Sequence, residues 1–436
     1  MSQASQAVSG AADDATQILP YGKIAWRIMP ILFIGYIIAY LDRVNVGFAK
    51  LQMMNDLHFT SAIYGLGAGI FFIGYFFFEV PSNIILHKIG ARVWICRVLV
   101  VWGIVSACTA LVRTPLEFYI VRFLLGVAEA GFFPGMVLYL TYWFPSHRRA
   151  RMMAILMSGN PVSGILGGPL SGWILHSFSG ARGMAGWQWL FLIEALPAVV
   201  LGVVILFYLD NRLEDAKWLS PREKAIVAAD VEAEAKVKTQ TSLASVFASP
   251  RTWLMCAILF GIVMGSYAIG FWQPTIIRQT GVSNPFYIGL LSALPYTLAL
   301  ISMILTGRHA DKMRERRWHV VVPILAAAIG FALCTQAGNS TIIAMIGLVM
   351  AVVGVVTALP MFWALPTSFL GGMAAAAGIA FVNCTGNLAG FFSPTIIGAL
   401  KDYTGSLNSG LFLVSACLLG SAGLILACVP AKLVNR

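Results

Sequence analysis

The chain has 436 residues, of which 59% are hydrophobic and only 11% are charged. Because charged residues make up about a quarter of an ordinary soluble domain, this composition excludes a soluble globular protein. The net charge is +11, but the basic residues lie between the apolar runs, where they set membrane topology instead of forming a nucleic-acid surface.

Apolar runs of at least ~18 residues, each long enough to cross ~30 Å of hydrocarbon, recur along the whole length. They predict an all-α integral membrane protein with twelve transmembrane helices, numbered one to twelve in chain order. The predicted spans are 24–48, 61–86, 93–112, 116–143, 151–176, 187–209, 252–273, 286–306, 319–337, 341–366, 373–399 and 408–430.

A polar segment at 210–250 divides the spans into two groups of six. The predicted parts are an N-terminal tail at 1–23, a half at 24–209, a linker at 210–250, a half at 251–430 and a tail at 431–436. Within the linker, Ser220-Pro221-Arg222-Glu223 is typical of a helix start, because Ser caps the helix, Pro suits its first position and Glu its third.

Two short segments six spans apart are similar. Ser158-Gly159-Asn160 in span five is echoed by Thr385-Gly386-Asn387 in span eleven. Together with the division at the linker, this echo indicates two six-helix halves related by pseudo-two-fold symmetry, with a site between them. Glycines at 164, 168 and 172 on span five also favour close helix packing.

Basic residues concentrate in the loops after spans two, four and eight and in the linker, whereas the alternate loops carry few. By the positive-inside rule, the basic loops, the linker and both tails are expected in the cytoplasm. The chain is therefore expected to be a multi-pass protein of the bacterial inner membrane.

Two charged pairs interrupt the apolar spans of the first half. Asp42 and Arg43 are neighbours in span one, and Arg122 and Glu129 lie two turns apart in span four. A charged side chain in hydrocarbon costs about 2.5–3.5 kcal/mol or more, so it persists where it pairs, faces the bundle interior or lines a wet cavity. These residues indicate a transport pathway. Residues 318–400 contain no Asp, Glu, Lys or Arg, so charge handling is expected in the first half.

The chemistry of these four residues predicts an anion carrier coupled to protons. Arg43 is the expected clamp for a substrate carboxylate, since its planar fork matches a carboxylate bidentately; the alternative is a structural pair with Asp42. Glu129 is the expected proton site and Asp42 the second candidate, because burial disfavours a charged carboxylate. Arg122, ~10 Å from Glu129 along the helix, would pair with it through substrate, water or a conformational change. The alternative is a constitutive ion pair that locks the helices.

Four segments carry a family resemblance: Tyr40-Leu41-Asp42-Arg43-Val44-Asn45, residues 80–92, residues 122–134, and Gly307-Arg308-His309-Ala310-Asp311-Lys312. On these motifs the chain resembles the major facilitator superfamily, in its anion:cation symporter family, and most of all the branch of tartrate, phthalate and hydroxyphenylacetate permeases. The resemblance implies two six-helix halves and proton-coupled symport, with the positions of Asp42 and Glu129 associated with proton coupling.

The loop after span two departs from the superfamily's general motif, which begins with Gly and has Asp-Arg at its centre. This chain has Asn83, His87 and Lys88 in that loop, whereas the loop after span eight keeps its Gly and acidic residue. We therefore expect Asp311, together with Arg92 at the end of the first loop, to make gating contacts.

Polar and aromatic residues of several spans are expected to bind the substrate. Tyr40 lies three residues before Arg43 on the same helix face, and half-apolar rings suit Tyr267 and Trp272 to a cavity wall. The positions implied by the resemblance are Tyr75, Asn160, Trp363, Asn383 and Asn387. The alternative for any single Tyr or Trp is a core or interface-belt residue.

The combined pattern predicts proton-coupled import of an organic anion by alternating access: a hydroxylated dicarboxylate such as tartrate, a sugar acid or an aromatic carboxylate. The alternatives are an organic-anion exchanger or uniporter and, outside transport, a non-transporting membrane sensor.

The sequence has no metal-ligand spacing, P-loop or nucleophile elbow, so we expect no enzymatic activity, metal or cofactor. The expected coupling ion is the proton. The expected partners are the anion and the lipid bilayer, without nucleic acid, and the expected state is a monomer.

Overall fold

The computed structural model describes the backbone of residues 2–236, 248–369 and 372–435. Side chains are described in the same ranges outside 2–19, 146–147, 150, 233–236, 367–369, 372–377 and 432–433. Every regular element in these ranges is a helix, which confirms the all-α prediction. Residues 237–247 of the predicted linker, with Met1 and Arg436 of the two tails, lie outside the described residues.

The helices follow the predicted spans closely. In chain order they are α1 (Ser2–Asp56), α2 (Ser61–Ile89), α3 (Ala91–Cys108), α4 (Pro115–Glu129), α5 (Phe132–Thr141), α6 (Ser146–Met157), α7 (Gly159–Ser177), α8 (Gly186–Tyr208), α9 (Pro221–Lys236), α10 (Pro250–Gln279), α11 (Pro285–Met313), α12 (Arg317–Cys334), α13 (Thr341–Phe362), α14 (Ala364–Phe369), α15 (Gly372–Asn387), α16 (Ala389–Thr404), α17 (Asn408–Cys428) and α18 (Ala431–Val434). Helix α9 lies in the linker, and α18 follows span twelve.

Ten helical segments of the described chain are long and apolar enough to cross a membrane. The other two predicted spans, five and eleven, are broken into shorter helices at Ser158 and Leu388. Spans four and ten are broken as well, at Gly131 and Trp363. Because spans four and ten, and five and eleven, are equivalent in the two halves, the breaks follow the repeat that the sequence echo indicated.

The break in span four depends on a glycine. Gly131 has a φ of +84°, and a Cβ on it would lie 2.3 Å from Oγ of Ser82. Only glycine adopts this backbone readily and leaves the needed space. Helix α4 therefore ends at Glu129, and this carboxylate is presented at the end of a helix instead of in its middle.

Each half has a hydrogen bond that ties the segment after its second helix to a later segment at the same end of the bundle. In the first half, the backbone N–H of Arg92 donates to Oδ1 of Asn211 in the linker at 2.9 Å. In the second half, the backbone N–H of Arg316 donates to Oδ1 of Asn435 at 2.9 Å. This end, which carries the basic loops, the linker and the C-terminal residues, is called the basic face; the other end is called the opposite face.

The linker helix lies against the start of span one. The N–H of Glu223 donates to Oγ of Ser220 at 3.3 Å, and the N–H of Ser220 donates to the Glu223 carboxylate at 2.7 Å. This reciprocal cap confirms the predicted helix start. The Tyr21 hydroxyl donates to Asp230 at 2.7 Å, and Lys23 pairs with Glu223 at 3.3 Å, so α9 is held to α1.

The two halves pack closely against each other through glycines on α7 and α11. A Cβ on Gly168 of α7 would lie 2.5 Å from the carbonyl oxygen of Gly289 on α11, and a Cβ on Gly289 would lie 2.2 Å from the carbonyl oxygen of Gly168. Gly164 and Gly172 meet the same helix. The predicted packing role of the glycine stripe on span five is confirmed, and it joins the halves.

Candidate functional site

A cavity of about 120 Å³ lies between the two halves. Its wall comes from spans one, two, four and five and from their equivalents seven, eight, ten and eleven, so it lies on the pseudo-two-fold axis. The lining residues are Tyr36, Ala39, Tyr40, Arg43, Tyr75, Glu129, Phe132, Phe133, Met157, Asn160, Pro161, Leu259, Val263, Ser266, Tyr267, Met303, Val356, Leu359, Pro360, Trp363, Asn383 and Asn387.

The charged centre of the cavity is an ion pair between Arg43 and Glu129. Nη2 of Arg43 donates to Oε1 of Glu129, and the two side chains are 12% and 1% exposed. Nε of Arg43 and Oε2 of Glu129 have no hydrogen-bond partner within the described ranges. The pair therefore leaves hydrogen-bonding capacity on both groups at the cavity wall.

Aromatic rings surround the Arg43 guanidinium. Its Cζ lies 5.5 Å from the ring centroid of Tyr40, 5.4 Å from Phe71, 5.9 Å from Phe72 and 5.4 Å from Tyr75. These rings attract the cation through their faces and keep water away from it. Because the low-dielectric surroundings strengthen charge interactions, an anion entering this cavity would compete directly with Glu129 for Arg43.

Arg122 contacts the neighbouring helix in this structure and makes no hydrogen bond to Glu129 among the described residues, so their pairing through substrate, water or a conformational change stays a prediction. Its side chain is fully buried and donates to the carbonyl oxygens of Gly67 and Ala68 on α2, at 3.4 and 3.5 Å. The long side chain extends across to the neighbouring helix instead of along its own. The direct partner of Glu129 is Arg43, on a different span.

Asp42 points into the first half and does not line the cavity. Its carboxylate accepts hydrogen bonds from Nε1 of Trp102 at 2.5 Å, from the Ser106 hydroxyl and from Nδ2 of Asn45 at 3.1 Å. Adjacent helical residues point about 100° apart, so Arg43 faces the cavity while Asp42 faces span three. The proposed proton role of Asp42 therefore concerns a site behind the cavity wall.

Glu194 is buried in the same half. It is 4% exposed, its Oε1 accepts a hydrogen bond from the Ser171 hydroxyl at 2.7 Å, and its Oε2 has no partner among the described side chains. The interpretation of this residue as structural stays a prediction.

The remaining expected binding residues divide into two groups. The residues that line the cavity are Tyr40, Tyr75, Asn160, Tyr267, Trp363, Asn383 and Asn387. Asn160 and Asn387 belong to opposite halves, as the echo of their motifs predicts. Trp272 does not line the cavity, and its ring packs on Lys50, whose Nζ lies 3.0 Å from the ring centroid. Trp272 lies five positions after Tyr267 on the same helix, so the two side chains point about 140° apart.

Comparison with known proteins gives the family. The family model of the Major Facilitator Superfamily matches residues 32–394. The chain belongs to the major facilitator superfamily.

Individual relatives extend this assignment. A Pseudomonas putida protein named as the metabolite transport protein NicT is 47% identical over 427 residues, which cover 97% of each chain. An Agrobacterium vitis protein named as a tartrate transporter is 50% identical over 402 residues, 92% of each chain. The solved inward-facing and occupied structure of a bacterial homologue of the human lysosomal transporter Spinster has a TM-score of 0.76 and 15% identity, and the match covers 96% of this chain and 98% of that one.

In this major facilitator protein, contacts between the halves lie near the opposite face. The N–H groups of Ser61 and Ala62, at the start of α2, donate at 3.0 and 2.6 Å to the carboxylate of Asp402, which lies at the end of α16 beyond span eleven. Arg278 of span seven also donates to the carbonyl oxygen of Leu51 in span one. These contacts join the two halves on the side of the cavity towards the opposite face.

Asp311 and Arg92, the residues expected to make gating contacts, each form contacts within their own half. Asp311 pairs with Arg316 at 2.6 Å, and Nε of Arg92 donates to the carbonyl oxygen of Leu206. Neither contact bridges the halves; the contacts between the halves described above lie at the opposite face instead. The gating role of Asp311 and Arg92 stays a prediction.

Three residues at functional positions were not identified from the sequence. Tyr36 lines the cavity, and its spacing of four from Tyr40 and seven from Arg43 was the available signal. Lys50 and Asp402 lie at the contact between the halves, where only their position at span ends distinguished them.

Proposed function

We propose that this major facilitator protein is a proton-coupled symporter that imports an organic anion by alternating access. It would lie in the bacterial inner membrane with the basic face, the linker and both termini in the cytoplasm, since basic loops favour that side. The transport names of its bacterial relatives support a small-molecule substrate.

The observation that carries the proposal is the ion pair of Arg43 and Glu129 in the cavity wall. A proton on Glu129 removes the charge that holds Arg43. The guanidinium is then free to accept a substrate carboxylate in its bidentate geometry. Loss of the proton restores the pair, and Glu129 displaces the carboxylate. One group thus links proton binding to anion binding.

The rest of the cavity suits a polar organic acid. The amides of Asn160, Asn383 and Asn387 offer donors and acceptors to hydroxyl groups, and the rings of Tyr267 and Trp363 offer apolar surface. Arg43 supplies the positive charge. These features support a hydroxylated dicarboxylate such as tartrate, a sugar acid or an aromatic carboxylate as the substrate class.

The test uses purified protein in liposomes that contain a pH-sensitive dye. Organic acids are first screened for thermal stabilisation of the protein, because a ligand that binds the folded state raises its melting temperature. The best acid is then added outside, and a symporter should acidify the lumen as the acid accumulates. Uptake without proton movement would indicate a uniporter, and uptake only into liposomes preloaded with the acid would indicate an exchanger. Binding without uptake into either kind of liposome would indicate a sensor.

A further inference from the structure

We propose that a groove between span one and the first part of span five holds one acyl chain of an anionic phospholipid, whose phosphate contacts Arg148 and Arg151. The groove has a volume of about 910 Å³ and lies entirely in the first half, between α1, the end of span four and α6. It is several times larger than the central cavity of about 120 Å³.

The groove is apolar along most of its length. Trp26 and Ile155 stand at its edges, 83% and 41% exposed, while Met29 and Met152 are buried at its floor. Its lining on α1 runs from Tyr21 to Phe33, thirteen residues that span about 18 Å of helix. One leaflet of a bilayer contributes about 15 Å of hydrocarbon, so the length suits a lipid tail better than a small soluble acid.

The end of the groove at the basic face is positively charged. Arg148 and Arg151 are three residues apart on α6 and share one helix face. The Arg148 guanidinium lies 4.4 Å from the Tyr21 ring centroid, and its buried Nε has no hydrogen-bond partner among the residues described. The described lining residues include no carboxylate. A basic pocket next to apolar helix faces is the arrangement that binds anionic lipid headgroups.

The test measures lipid binding directly and does not depend on the transported substrate. Full-length protein in mild detergent is mixed with phosphatidylglycerol or phosphatidylethanolamine of identical acyl chains, and bound lipid is quantified by native mass spectrometry. Wild type should retain phosphatidylglycerol in preference. Each arginine near a membrane surface contributes about five-fold in affinity for anionic lipid, so Arg148→Gln with Arg151→Gln should weaken phosphatidylglycerol binding about 25-fold.

Two further variants distinguish the contribution of the lipid headgroup from that of the acyl chain. Arg113→Gln removes an exposed arginine outside the groove and should leave lipid binding unchanged. Ile155→Trp fills the groove and should lower the retention of both lipids equally. If the double variant does not fold, Arg151→Gln alone should show the five-fold loss. Equal retention of both lipids by wild type, an unchanged Ile155→Trp variant, or displacement of phosphatidylglycerol by millimolar tartrate would overturn the proposal.

Discussion

At the scale of single residues, the cost of charge in hydrocarbon, together with the family resemblance, made Arg43 and Glu129 candidates from the sequence, and both line the central cavity. It did not identify them as partners, because their pairing depends on how span four packs on span one. Helical geometry explains why the neighbouring Asp42 turns away from the cavity, but the sequence could not say which of the two neighbours would face it. The position of Arg122 was also beyond the sequence, since its acceptors are backbone carbonyls of another span.

Arg43→Lys should weaken binding of the stabilising organic acid by about ten- to hundred-fold, although the positive charge is kept. The ammonium group of Lys cannot form the two parallel hydrogen bonds that the guanidinium offers to a carboxylate. A hydrogen bond to a charged group contributes about 1.5–3 kcal/mol, which sets the size of the loss. Calorimetric titration of the purified variant measures it, and Arg113→Lys is the control. Near-normal affinity in Arg43→Lys would show that Arg43 is not the carboxylate clamp.

Asp42→Ala should destabilise the protein by at least about 2 kcal/mol, because it leaves the buried donors of Trp102, Ser106 and Asn45 unpaired. Asp42→Asn keeps one acceptor and should lose less. Thermal unfolding followed by intrinsic fluorescence gives the comparison, with a fall in melting temperature of several degrees for Asp42→Ala. An unchanged melting temperature would mean that the carboxylate does not organise this part of the half.

At the scale of helices, the repeated Ser-Gly-Asn and Thr-Gly-Asn segments predicted the repeat, but not that spans five and eleven would both be interrupted next to them. The break beside Glu129 was not predicted. The break requires Gly131 to adopt a left-handed conformation next to Ser82. Glycines are common in membrane helices, so the sequence alone does not indicate which of them adopts this conformation. The cap that Asp402 provides for α2 was equally hidden, because the two elements are more than 300 residues apart in the chain.

Asp402→Ala should loosen the contact of the halves at the opposite face. The amides of Ser61 and Ala62 lose their acceptor and should exchange with deuterium about five-fold faster, the effect expected for the loss of an N-terminal helix cap. The Leu51 region, joined to the second half by Arg278, should also exchange faster.

The matched control is Glu117→Ala, since Glu117 caps α4 within one half. It should speed exchange only at the start of α4. If Asp402→Ala likewise changes only its own local amides, the contact caps a helix but does not hold the halves together.

The same contact has a defined pH dependence. Burial opposes ionisation of Asp402, but hydrogen bonds from the Ala62 N–H, the Thr60 hydroxyl and Ser61 outweigh it, so the pKa of Asp402 lies below its usual value. A lowered pKa means that the contribution is complete at neutral pH and is lost only as the pH falls below the ordinary range for Asp. Exchange at Ser61 and Ala62 should therefore be insensitive to pH between about 6 and 8, after correction for the intrinsic rate.

At the scale of the whole molecule, the sequence correctly predicted the two halves, the all-α fold and its membrane spans, because these follow from local composition and periodicity. The distribution of charge also follows from the sequence: the central ion pair comes from the first half, and the second half contributes amides, hydroxyls and rings to the same cavity. The relative placement of the halves could not be predicted, since it depends on glycine contacts between α7 and α11 and on hydrogen bonds at the opposite face between residues far apart in the chain.

The central claim is that Glu129 couples the proton to the anion by competing for Arg43, and Glu129→Gln tests it most directly. Gln mimics the protonated acid, so the variant should bind substrate and exchange labelled substrate across the membrane in counterflow. It should fail to accumulate substrate under a proton gradient, because the empty carrier cannot release a proton to complete its return. Both activities are measured in the same vesicles. Preserved counterflow with lost accumulation is the predicted result, whereas an equal loss of both, or accumulation at the wild-type level, would contradict the account.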